Sequence, residues 1–188
     1  MVVLKRLRNQ TIMAKQYEQI TPPLKTFIEN QKIFFVGTAS REGRVNVSPK
    51  GMDSLRVLDP NRVVWLSVTG SGNETAAHLA DNGAENGSKS GRMTVMFCAF
   101  EGAPMILRLY GLARAVYPRN QSWNKLIAHF DQLPGTRQLF DLNVDLVQTS
   151  CGMAVPLYDY KDDRDSLNNW AKKKGRQASK PTSVRRIR

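Results

Sequence analysis

The sequence predicts a mainly β (α+β) fold, an antiparallel barrel with short peripheral helices. Three observations point there. Short runs rich in β-branched and aromatic residues recur between turn signals, at hairpin spacing rather than in strand–helix–strand alternation. Helix-like periodicity is confined to the beginning, middle and end of the chain. No internal repeat occurs at a solenoid period, and 188 residues suit one domain.

The elements follow in order. Thr21 is placed to cap a helix over residues 21–31, with Pro22 or Pro23 in its first turn and Leu24, Phe27 and Ile28 on one face. Ile33–Ser40 and Val45–Lys50 read as strands joined at Arg41-Glu42-Gly43-Arg44, the second interrupted by Pro49 and Gly51. Leu55–Leu58 and Arg62–Val68 form another hairpin around Asp59-Pro60-Asn61. The loop Thr69–Gly72 leads into a helix over Asn73–Asn82, and Gly83–Gly91 reads as a polar, mobile loop. Met93–Phe100 and Met105–Val116 are longer apolar strands. Trp123–Phe130 is helical until Leu133-Pro134-Gly135 breaks it, and Phe140, Leu142, Val144 and Leu146 alternate as a half-exposed strand. Residues 159–174 form the last helix.

Charge divides the chain into regions. Lys and Arg number 28 against 16 Asp and Glu, a net charge of +12. Every acid lies between Glu18 and Asp165, so residues 1–17 carry four uncompensated bases and residues 171–188 carry eight. The body between them is neutral. Such tails are solvated extensions with a weak, salt-sensitive attraction to polyanions, and they lack the interleaved aromatics of a nucleic-acid surface. Nucleic acid is therefore not an expected partner. No run approaches the ~20 apolar residues of a membrane span, so no membrane association is expected either. Cys98 and Cys151 make neither a disulfide scaffold nor a paired zinc site, which favours a cytoplasmic home, and both are expected to be buried. The acid-free leader also resembles a mitochondrial presequence, and Met13 is an alternative start.

Side chains suited to difficult chemistry are scarce. His78 and His129 are the only histidines, both in helical patterns, and no HExxH, CxxC or GxSxG occurs. A borrowed cofactor fits better than a triad or a metal. Two segments suit a phosphate. In Arg44–Gly51 (RVNVSPKG), Asn46, Ser48 and Lys50 share one strand face at period two. In Thr69–Thr75 (TGSGNET), small residues lead into a helix start whose free N–H groups and dipole attract anions. Each also has a plain structural reading: an exposed strand face, and a helix capped by Ser71 or Asn73.

The blocks FFVGTAS, RVNVSPKG, VVWLSVTGSGNETAAHL, RMTVMFCAF, MILRLYGLARAV and VQTSCGMAVPLY, in that order, resemble the pyridoxamine 5′-phosphate oxidase-like family, from about Phe27 to about Trp170. The resemblance implies a split β-barrel over residues 21–170, an FMN cofactor, and a homodimer whose two FMN sites are each lined by both subunits. Residues 1–20 are then a basic N-terminal extension and 171–188 a basic disordered tail. By the same resemblance Arg44, Val45, Asn46, Val47 and Ser48 lie along the isoalloxazine and ribityl chain, and Lys50 pairs with the phosphate. Ser67, Thr69, Ser71, Gly72, Asn73, Glu74 and Thr75 supply hydroxyls and amides. Arg108 comes from the other subunit, within Met105–Tyr110. Val47 and Trp65 read equally as barrel core.

Two departures matter. True pyridoxamine 5′-phosphate oxidases open the phosphate-loop helix with an Arg-Lys pair, where this chain has Glu74 and Thr75. They close on an Arg-Leu-x-Pro type segment, where this chain has Thr182–Arg188 (TSVRRIR). Both argue against pyridoxamine 5′-phosphate as substrate, and Ala84–Gly91 reads as an insertion at the barrel rim. The expectation is an FMN-dependent oxidoreductase acting on another small molecule, with no acid–base residue identifiable. Two alternatives stand beside it. One is a non-catalytic binder of flavin or another planar cofactor, such as haem or a deazaflavin. The other is an interaction module whose basic tails seek an anionic partner.

Overall fold

Residues 14–70, 72–86 and 90–174 are described by a computed structural model. Along them run β1 (Ala14–Tyr17), α1 (Pro22–Asn30), β2 (Phe34–Thr38), β3 (Asn46–Lys50), β4 (Leu55–Asp59), β5 (Arg62–Val68) and α2 (Glu74–Asn86). There follow β6 (Ser90–Cys98), β7 (Ile106–Val116), α3 (Trp123–Ile127), β8 (Thr136–Ser150) and α4 (Ser166–Lys174). The strands pair antiparallel in the order β3-β2-β6-β7-β8-β5-β4, with β1 on β8. The end strands β3 and β4 are consecutive in the chain, joined through Met52 and Asp53 at φ 62° and 49°. The sheet curls until Lys50 of β3 lies 5.6 Å over the Trp65 ring of β5. A seam remains where the ends do not pair. The fold is the split, mainly antiparallel barrel that the sequence predicts.

β8 is the post of this barrel. Residues Leu139–Ser150 of it pair with β7, its first half up to Asn143 pairs with β5, and its last four residues pair with β1. The half-exposed strand expected around Phe140–Leu146 is buried on both faces from Gln138 to Leu142. The inner face carries Phe140 and Leu142 into a core with Trp65, Phe34 and Phe97. The outer face carries Leu139 into a second cluster with Val64, Leu66, Val116 and Leu126, under α3. A strand covered on both sides loses its polar alternation. Between Tyr110 and Gly111 the β7–β8 register shifts by one residue. There the strands approach so closely that a Cβ on Gly111 would collide with the Asn143 carbonyl.

Several expected boundaries move. Among the described residues the sheet already includes Ala14–Tyr17, within the expected N-terminal extension, because β1 pairs with β8 and Ile20 enters the core. Asn61 fastens this segment, its side-chain amide donating to the Glu18 carbonyl at 2.8 Å and the Val144 carbonyl at 3.0 Å. α1 buries Leu24 and Ile28 as expected, but Thr21 makes no side-chain cap. α2 continues through Gly83 to Asn86, replacing the first part of the expected loop. It packs tightly on β6: a Cβ on Gly91 would lie 3.0 Å from the Leu79 Cα and the Asn82 Cβ. The last helix starts at Ser166 and crosses residue 170, burying Ala171. Cys98 is buried but Cys151 is exposed, contrary to expectation, and both are free. The rest of the two basic tails, residues 1–13 and 175–188, lies outside the described residues, as do Ser71 and residues 87–89. Among the described residues no helix is long and apolar enough to cross a membrane.

Candidate functional site

The seam opens into a cavity of about 450 Å³. Alternation along β3 points Asn46, Ser48 and Lys50 into it, leaving Val45 and Val47 outside at 71% and 63% exposure. The facing wall is β5, with Trp65, Leu66, Ser67 and Val68. The floor is the start of α2, where Gly72, Asn73, Glu74 and Thr75 meet the cavity. The Asn73 carbonyl accepts the first helical bond, from Ala77 N–H at 3.2 Å, so Asn73 is the cap residue. Its side chain is turned to another task, accepting from Gln138 Nε2 at 2.7 Å.

β8 adds two residues that sequence reasoning missed, Arg137 and Gln138. Ser67 pairs with Gln138 and Val68 with Thr136, so Arg137 is the extra residue of a bulge. A bulge re-aims its side chain, and the guanidinium reaches the cavity wall. Arg137 Nη2 donates to the Gly72 carbonyl at 3.2 Å and to Ser67 Oγ at 3.4 Å. No sequence pattern marks a bulge, and the strand was expected to begin only at Phe140.

Five buried side-chain atoms around this cavity have no protein partner: Ser48 Oγ, Trp65 Nε1, Arg137 Nε and Nη1, and Gln138 Oε1. Buried polar groups are almost always satisfied, so a cluster of orphans marks a place completed by ordered water, an ion or a ligand. Gln138 and Trp65 are only 1% and 2% exposed, so bulk solvent does not serve them. Trp65 is both core, stacked on Phe140 at 4.5 Å, and cavity wall through its indole N–H. The electrostatics agree. Burial, and then the Arg137 guanidinium, pushes the Lys50 ammonium below its ordinary value, opposed by Glu74. Burial also lowers Arg137, against Tyr117 and Glu74. Two cations held together away from water favour an anion between them.

Of the expected site residues, Asn46, Ser48, Lys50, Ser67, Gly72, Asn73, Glu74 and Thr75 line this one cavity. Arg44 is exposed outside it, with Val45 and Val47, so Val47 is not core. Thr69 is occupied elsewhere, donating to the Gly135 carbonyl through its N–H at 2.8 Å and hydroxyl at 2.9 Å. Arg108 donates to Ser150 Oγ at 3.1 Å and does not line the cavity of its own chain. His78 hydrogen-bonds Thr38 Oγ1 through Nδ1 at 3.1 Å, a packing role. Among the described residues no three His, Cys, Asp or Glu side chains gather as a metal site. A larger trough of about 1610 Å³ adjoins the cavity through Pro49–Met52 and Leu167, but none of the orphaned atoms belongs to a residue found only there.

Known proteins share this architecture. The pyridoxamine 5′-phosphate oxidase family model matches residues 20–151. The pyridoxamine 5′-phosphate oxidase family protein ustO of Aspergillus flavus is 38% identical over 156 residues, 80% of this chain and 59% of that protein. The chain thus spans about three-fifths of that relative's length. HupZ of Group A Streptococcus has the same fold at TM-score 0.50 and 20% identity, covering 68% of this chain and 91% of its own. So does a putative pyridoxamine 5′-phosphate oxidase from Lactobacillus delbrueckii, at TM-score 0.50 and 17% identity over 70% and 94%. Fold, motif order and family match converge: the chain belongs to the pyridoxamine 5′-phosphate oxidase family.

Proposed function

We propose that the protein is an FMN-binding flavoprotein, an oxidoreductase acting on a small molecule other than pyridoxamine 5′-phosphate. The observation that carries this is the orphaned set around the cavity. Lys50 and Arg137 supply charge for a phosphate, and the start of α2 supplies N–H groups. Trp65 Nε1 requires an acceptor, Gln138 Oε1 requires a donor, and Ser48 Oγ takes either. A phosphate joined to a hydroxylated chain meets all of these demands, and FMN is such a molecule. Haem is a poorer fit, because its carboxylates offer no donor to Gln138 when ionised, and no histidine lines the cavity. When bound, FMN supplies hydride or electron transfer through its ring. The chain's own part is to hold the phosphate and chain, exclude water, and orient the ring.

The homodimer belongs to the same proposal. Val47 on edge strand β3 and Val45 just before it stand exposed, back to back with the cavity residues. A second copy covering them would bring its own Met105–Tyr110, including Arg108, toward the ring. The test is a visible absorbance spectrum of purified protein before and after adding FMN. Flavin bands at one FMN per chain are expected. A protein that ignores FMN would overturn the proposal.

A further inference from the structure

Three charged side chains line the cavity: Lys50 on β3, Arg137 on β8 and Glu74 on α2. Tyr117, just past the end of β7, also acts electrostatically on Arg137. The Glu74 side chain folds back over Gly72, so closely that a Cβ on Gly72 would collide with its carboxylate. The carbonyl of that same Gly72 accepts from Arg137 Nη2. Carboxylate, glycine and guanidinium therefore sit in direct succession at the head of α2. Among the described residues of one chain these side chains sum to one positive charge, to which the partial charge of the helix start adds. A phosphate monoester above its second pKa of about 6 carries nearly two negative charges. A dianion here leaves one negative charge facing Glu74 without compensation, in surroundings where charge is weakly screened.

We infer that Glu74 makes this a site for singly charged phosphoryl groups, so that a phosphate monoester binds together with one proton. The inference rests on the anion reading of the cavity given above. The balance is simple: a dianionic monoester and one proton from solvent enter, and the bound phosphate keeps an O–H that donates to the Glu74 carboxylate. No bond to phosphorus changes. In place of the Arg-Lys pair of the true oxidases, this chain has a proton-requiring site. Above pH 6, affinity for the monoester falls toward tenfold per pH unit.

The experiment compares wild type with Glu74→Gln, using FMN and riboflavin followed by flavin fluorescence from pH 6 to 8. Wild type should lose FMN affinity by about 30- to 100-fold across that range, as the dianion fraction grows. Glu74→Gln should bind FMN more tightly at pH 8 with a nearly flat profile, and riboflavin, lacking the phosphate, should be flat in both. Calorimetry at pH 7.5 in buffers of different ionisation enthalpy should report uptake of about one proton per FMN in wild type and near zero in the variant. A pH profile equally steep in Glu74→Gln assigns the proton to Lys50 and overturns the inference, as does a flat wild-type profile. Inorganic phosphate, followed by tryptophan fluorescence, is the second probe. If phosphate binds with proton uptake but FMN does not bind, the FMN reading fails while this inference stands. Silence from both probes overturns both.

Discussion

The side-chain amide of Gln138 donates to Asn73 Oδ1 at 2.7 Å, tying the start of β8 to the cap residue of α2. This single bond fixes which way the Gln138 carbonyl faces and holds the two walls of the cavity in register. Gln138→Ala is expected to weaken FMN binding by about 5- to 20-fold, from one lost hydrogen bond and a loosened floor. Gln138→Glu supplies acceptors only, so Asn73 must flip its amide to satisfy it. Titrations of both variants beside wild type check this.

Arg137 is a bulge residue with two unpartnered guanidinium nitrogens. Arg137→Ala is expected to reduce FMN affinity by about 10- to 100-fold, the range of a lost charge-assisted hydrogen bond. Riboflavin affinity should change by less than about threefold. Equal losses for both flavins would move the phosphate away from Arg137.

Asp141 lies on the outer face of β8, gripped by Arg62 at 2.8 and 3.0 Å and by Arg114 at 2.9 and 3.2 Å. Burial alone would raise its carboxyl, but the hydrogen bonds from Arg62 and Arg114 outweigh that and hold it below its ordinary value. The stability it contributes is complete above the unfolded value of about 3.9 and is lost as pH falls through the native one. Asp141→Asn should cost about 1–3 kcal/mol at neutral pH. It should also flatten the acid limb of the stability profile, as urea melts between pH 2.5 and 7 would report.

Gly111→Ala places a Cβ against the Asn143 carbonyl at the register shift of β7 on β8. Backbone on both sides leaves no flexible side chain to yield. A loss on the order of 3 kcal/mol or more is expected, visible as a lower melting temperature or failure to express.

Val45 and Val47 test the dimer without touching the cavity face. Replacing both with Asp should give a monomer in sedimentation and weaken FMN, while Asn46, Ser48 and Lys50 keep their places. Dimers that persist would locate the interface elsewhere.

What the sequence makes legible follows from geometry. Asn46, Ser48 and Lys50 could be read as one face because an edge strand turns period two directly into two sides. The barrel was legible because β2–β3 and β4–β5 are local hairpins with clear turn residues. Arg137 was not, since a bulge is a relation between two strands, and neither strand's own pattern encodes it. The length of α2 was hidden by Gly83, which reads as a breaker but is buried inside the helix. β8 lost its alternation to α3, packed against its far side. For Arg137 and β8 the missing information lay in a neighbour distant in sequence.

The unequal pairing of β3 and β8 gives the cavity one unyielding jaw and one compliant jaw. From Leu139 to Asn143, β8 is hydrogen-bonded along both edges, by β7 and β5, whereas among the described residues β3 is bonded only to β2. Amides of β8 from Leu139 to Asn143 should therefore exchange with solvent only on global opening, and those of β3 by local fraying. A ligand in the cavity would hold β3 through Asn46, Ser48 and Lys50. Its footprint in an exchange experiment would be a slowing on the Asn46–Lys50 strand, with the post behind it already silent.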